Sequence, residues 1–189
     1  MKNIKVKEIM IPIDRYVKVT EEDGLMDVIQ ALDNSKSAEK KHAHRDAFVM
    51  DQNGNFIGKV TMIDVFRALQ PNYQKINVDD IVAGGQGELN KEMLMNILDD
   101  FDLWVEPTEN LCKRGEAKKV SEMMHIPTDA EYIQEEDSSE KALHLYVMGA
   151  HQPLIVQKEG TVTGALRFGD IFEIVRKELL ACALELSSS

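Results

Sequence analysis

The chain is poor in cysteine and poor in positive charge. Two cysteines, Cys112 and Cys182, stand among 189 residues, too few for a disulfide framework, and no Cys-x-x-Cys pair offers zinc spacing. Lys and Arg number 22 against 33 Asp and Glu, a net charge of −11. The broad basic field that grips a nucleic-acid backbone or an anionic membrane surface is therefore missing. No apolar run approaches the roughly 20 residues of a membrane span. The start, Met1-Lys2-Asn3-Ile4-Lys5-Val6-Lys7-Glu8, lacks the apolar stretch of a secretory leader. With 43% hydrophobic residues, the composition suffices for a packed core. An acidic, soluble, cytoplasmic protein is the expectation.

What the chain does have is an internal repeat. Val6-Lys7-Glu8-Ile9-Met10 returns as Val120-Ser121-Glu122-Met123-Met124, and Gly54-Asn55-Phe56-Ile57-Gly58-Lys59-Val60 returns as Gly160-Thr161-Val162-Thr163-Gly164-Ala165-Leu166. Asp64 and Asp170 keep the spacing of that second anchor. The first copy is longer by about eight residues, which fall in the polar stretch from Ser35 to Arg45.

Both copies read alike locally. Tyr16 to Val19 is extended, and Thr20 to Asp23 opens a helix with apolar residues at Leu25, Val28, Ile29 and Leu32. Ala47 to Met50 and Phe56 to Val60 flank an Asn53-Gly54 turn, a strong hairpin signal. A helix from about Met62 to Leu69 stops before Pro71. Copy two repeats this with Glu131 to Ile133, a helix from Ser139 to Met148, strands at Pro153 to Val156 and Val162 to Leu166, and a last helix from Phe168. The fold class is α/β (α+β): two β-α-β-β-α repeats, residues 1–74 and 119–189. Neither buries a good core alone, so they should pack face to face with pseudo-two-fold symmetry. Residues 75–118 form a connecting insertion. There Asn90 can cap a helix with apolar residues Leu94, Ile97, Leu98 and Phe101, closed against the repeats by Trp104.

Val-x-Glu-Ile-Met, the hairpin, and Gly58-Lys59-Val60-Thr61-Met62-Ile63-Asp64 together resemble the CBS domain, and two copies in tandem resemble a Bateman module. The resemblance implies a stand-alone regulatory module that binds an adenine nucleotide (AMP, ADP, ATP) or S-adenosylmethionine between the copies. It also implies a homodimer and an effector protein, with no required cofactor and no catalysis. The residues agree physically. An aspartate in the first turn after a strand accepts hydrogen bonds from ribose hydroxyls, and a helix N-terminus favours phosphate. Thr61, Asp64 and Arg67 are the centre of this site, although Thr61 and Asp64 also make an ordinary helix cap. By family position Ile11, Pro12, Arg45, Ala47 and Phe48 join them, with Ile11 where a typical member has threonine.

The second site by the same reasoning is Asp170, Arg167, His125, His151 and Pro153. Arg167 replaces the threonine, and Glu173 stands where copy one has Arg67, which sets a carboxylate against phosphate. Phosphate attraction is expected locally, from Arg67, Arg45, Arg167 and Lys59. These departures also permit a rival reading, an interaction module of the same fold with no nucleotide.

Other motifs carry less. His42, His44 and Asp46 would share a face if extended, but no further ligands are evident and a solvated loop is expected, so no metal site is assigned. Gly84-Gly85-Gln86-Gly87 lacks the Lys-Ser/Thr of a phosphate loop. No nucleophile elbow occurs, and neither cysteine has a histidine nearby. Met93, Met95, Met123, Met124 and Met148 are expected to fill the core.

Overall fold

A computed structural model of the protein describes residues 4–38, 45–70 and 110–187. The expected helix after Asn90, Trp104, the glycine run at 84–87, Met93, Met95, His42 and His44 lie outside these residues. In copy one, β1 (Ile11–Pro12) and β2 (Lys18–Thr20) precede α1 (Leu25–Ala38), the hairpin β3 (Ala47–Met50) and β4 (Phe56–Val60), and α2 (Met62–Leu69). Then α3 (Leu111–Glu116) and α4 (Val120–Met123) lead into β5 (Tyr132–Gln134), α5 (Ser139–Val147), β6 (Leu154–Lys158), β7 (Thr161–Leu166) and α6 (Phe168–Ser187). The mixed β-α-β-β-α order of both copies is present.

Each copy has a parallel strand pair extended by the antiparallel hairpin. The order is β2-β3-β4 in one sheet and β1-β7-β6-β5 in the other. The hairpin turns follow from local chemistry. Oδ1 of Asp51 accepts from the N–H groups of Asn53 and Asn55 at 2.8 and 2.7 Å, and Gly54 takes the left-handed φ of 81°. Copy two turns through Glu159 and Gly160, at φ 50° and 81°.

The second sheet contains a strand of the first copy. β1 pairs with β7, Ile11 opposite Ala165 and Pro12 opposite Gly164. In return, His125 bridges Lys59 of β4, with N–H···O distances of 2.9 and 2.8 Å. The repeated Val-x-Glu segments follow the same crossover. Val6 N–H donates to Asp137 O at 2.9 Å and Val120 N–H to Asp23 O at 2.8 Å. Val6 packs with Ile133, Ala142, Leu154, Val156, Leu166 and Ile171, whereas Val120 and Met123 pack with Val19, Leu25, Val28, Ala47, Val49 and Val60. Each copy therefore completes its core with the leading segment of the other, and a third cluster of Tyr16, Phe48, Ile155 and Ala165 fills the seam between the two.

The end of the insertion docks on copy one. Arg114 donates to Leu69 O at 3.1 Å, and Gly115 lies against Met26, Leu25 and Leu69. Two apolar assignments fail. Ile29 turns outward at 42% exposure, because Leu25 and Val28 already occupy the core-facing side of α1. Met148 is 84% exposed just beyond the end of α5, past the last turn that touches the core.

Candidate functional site

The strand exchange brings two groups of polar side chains together along the seam. In the first, Thr61 ends β4 and opens α2. Oδ2 of Asp64 accepts from the Thr61 N–H at 2.8 Å and from the Thr61 hydroxyl at 2.6 Å, and both side chains are buried. The helix-cap reading of this pair is thus realised in the fold. It also fixes the carboxyl group at the head of the helix, while Arg67 is exposed one turn further on.

Copy two supplies the facing wall. His125 enters on the exchanged segment, and its ring lies 4.5 Å from that of His151, tilted by 30°. Nε2 of His125 lies 2.8 and 2.9 Å from the two carboxylate oxygens of Glu131. Lys59 is fully buried and reaches across from β4. Its ammonium donates to Glu131 Oε2 at 2.7 Å, to His151 O at 2.9 Å and to Pro153 O at 2.8 Å. All three ammonium donors are used, as a buried charge requires. Burial acts to raise the Glu131 carboxyl, but Lys59, the Thr128 N–H and His125 overcome it and hold the group down at about 2. Burial, Lys59 and His125 push His151 below the usual histidine range.

In the second group the corresponding aspartate is engaged differently. Nε and Nη2 of Arg167 donate to Oδ2 and Oδ1 of Asp170 at 2.8 and 2.9 Å, a two-pronged pair. Asp46 stands close by and accepts from the Tyr16 hydroxyl. Burial pushes its carboxyl up to about 6, against the pull of Arg167 and Lys59 and with the help of Asp170.

The sequence groups Ile11, Pro12, Arg45, Ala47 and Phe48 with Asp64, and His125, His151 and Pro153 with Asp170. The structure arranges them crosswise. His125, His151 and Pro153 gather around Lys59, the strand neighbour of Thr61 and Asp64, whereas Ile11 and Pro12 pair with β7 next to Arg167 and Asp170. Ala47 and Phe48 are wholly buried. Arg45 is exposed and lines a groove of about 770 Å³ between α1 and α2, with Met26, Ile29, Met62, Val65 and Phe66. Lys59 and Arg167, expected as phosphate donors, are committed to Glu131 and Asp170. Asp46, the third residue of the His42-His44-Asp46 pattern, accepts from the Tyr16 hydroxyl, while both histidines lie outside the described residues.

Sequence reasoning missed the Lys59–Glu131 pair. Its one signal is a lysine between Gly58 and Val60 in a strand whose repeat carries Ala165 at the same place.

Two α/β repeats that exchange leading strands and gather polar side chains between them define a tandem-repeat module built around its seam. The family model of the CBS domain matches residues 6–71, within the first copy. No curated protein matches the chain. Among solved structures, a CBS domain-containing protein of unknown function from Bacillus anthracis aligns with TM-score 0.55 and 20% identity, over 93% of this chain and 95% of that one. CBSX2 in complex with AMP aligns with TM-score 0.56 and 18% identity, over 93% and 98%. The CBS domain of a bacterial CNNM/CorC family Mg2+ transporter in complex with ATP aligns with TM-score 0.53 and 17% identity, over 91% and 87%. At these identities the likeness is one of fold, and it extends over both copies. Among the described residues no helix is long and apolar enough to cross a membrane.

Proposed function

We propose that the protein is a regulatory module that binds an adenosine-containing ligand at the Asp64 site and relays its presence to a partner protein. One observation carries this reading. The buried Asp64 carboxyl is fixed at the N-terminus of α2 opposite a wall from the other copy, whereas its counterpart Asp170 is tied up by Arg167. A ligand at the Asp64 site touches both copies, so its binding energy acts on their relative placement. With Lys59 and Arg167 committed elsewhere, the helix N-terminus and Arg67 are the phosphate-directed groups of copy one. The AMP and ATP complexes of two proteins of this fold support the ligand class.

Thermal unfolding with AMP, ADP, ATP and S-adenosylmethionine tests the proposal. At about 100 times the dissociation constant, the cognate ligand adds roughly 2.7 kcal/mol, which is about 5–10 °C for a chain of this size. Asp64→Ala removes most of that shift, measured from its own unliganded baseline, and Asp170→Ala leaves it nearly intact. The reverse ranking assigns the ligand to the Asp170 site.

A second reading has its own support, since both aspartates already have partners within the chain. In that reading the module works through protein contacts alone, and none of the four ligands shifts the transition. Either reading accommodates a homodimer formed through the exposed apolar residues Met26, Ile29, Met62 and Phe66 of copy one and Val147, Phe168 and Phe172 of copy two.

A further inference from the structure

In the wall that copy two sets opposite Asp64, three side chains form a cluster of metal-ligating groups. We infer that His125, Glu131 and His151 form a binding site for a borderline divalent cation of the zinc class. The ligand atoms of the three residues lie within 4.8 Å of one another. Glu131 is 3% exposed, and Nδ1 of His151 is buried with no hydrogen-bond partner among the described residues. A buried ring nitrogen with no partner is a cost in the folded state unless something fills its lone pair.

The donor set selects the ion. Two imidazole nitrogens and one carboxylate oxygen suit Zn2+, Co2+ or Ni2+, whereas Mg2+ and Ca2+ favour oxygen shells. Three protein ligands leave a coordination position for water or a small molecule.

The cluster is also held in place before any ion arrives. The His125 backbone is paired to Lys59, the His151 carbonyl accepts from the Lys59 ammonium, and Glu131 is anchored by the Thr128 N–H at 3.0 Å. His125 Nε2 faces both Glu131 oxygens, a position where a metal ion can replace a shared proton. Lys59 opposes the ion, because its ammonium shares the Glu131 carboxylate at 2.7 Å. It thereby tunes the site toward weaker, reversible binding.

Cobalt titration of the full chain, freed of metal by chelation, tests the site without any nucleotide. One Co2+ per chain is expected, with the intense visible bands of a low-coordinate ion, displaced by Zn2+ but not by Mg2+. His125→Gln and His151→Gln each weaken binding at least about tenfold while the far-ultraviolet dichroism is unchanged. Lys59→Met, where it folds, tightens binding. Absence of the bands overturns the proposal, as does displacement by Mg2+. One tight equivalent surviving in the His125→Gln/His151→Gln double variant also overturns it, by placing the ion at His42, His44 or His144. Because nucleotide is absent throughout, failure here leaves the ligand-sensing proposal standing, and the converse holds.

Discussion

The two repeated glycines solve different problems. Gly54 and Gly160 supply positive φ in the hairpin turns, whereas Gly58 and Gly164 let the exchanged segment come close. A Cβ on Gly164 would lie 2.3 Å from the Ile11 carbonyl oxygen, and one on Gly58 would lie 3.0 Å from the His125 carbonyl oxygen. The obstacle at Gly164 is backbone held in a sheet, so it cannot rotate aside as a side chain would. Gly164→Ala is expected to lower stability by about 3 kcal/mol, or roughly 6–12 °C in melting temperature, and Gly58→Ala by less. Gly169 has no neighbour among the described residues within 4 Å of its Cβ position and sits in α6, so Gly169→Ala should gain up to about 1 kcal/mol. Urea denaturation of the three variants checks the order, and a Gly164→Ala midpoint equal to wild type would contradict the close approach of β1. The spacing of these glycines was legible in the sequence, but the partner that requires the second one was not, because it lies in the other copy.

Among the elements, the local signals served well and the crossover defeated the site grouping. Helix α2 begins and ends where Thr61 and Pro71 suggest, since caps and breakers act over a few residues. Periodicity likewise marks Leu25 and Val28 as core. Neighbourhood in the chain places Ile11 with Asp64, yet β1 leaves its own copy to pair with β7, and no local pattern records that. The exchange has a measurable consequence. Val6 is wholly buried among copy-two residues, so Val6→Ala removes about 2 kcal/mol of packing from that core. Native-state hydrogen exchange should then quicken in β6 and β7, with β3 and β4 little changed, although Val6 lies in the sequence of copy one. Val120→Ala should do the opposite. Faster exchange confined to the strands of the mutated residue's own copy would rule the exchange out.

For the whole molecule, charge and apolar surface pull against each other. The net charge of −11 per chain makes two copies repel, while the apolar groove between α1 and α2, with Phe66 54% exposed, and Phe172 at 56% exposure on α6 are surfaces that gain from being covered. Screening decides the balance. At about 0.01 M salt the Debye length is near 30 Å, and like charges act across an entire dimer interface. At 0.15 M it is about 8 Å, and only charges close to the contact still count. If the helix faces pair, sedimentation velocity should show the dimer fraction rising with ionic strength, because salt removes repulsion and leaves hydrophobic burial unweakened. Phe66→Glu should return the protein to monomer at every salt concentration, since it adds an uncompensated charge to the face being buried. A dimer held by opposite charges would instead weaken as salt rises and would survive Phe66→Glu. The acidity that excludes polyanion partners would then also set the concentration at which this module assembles.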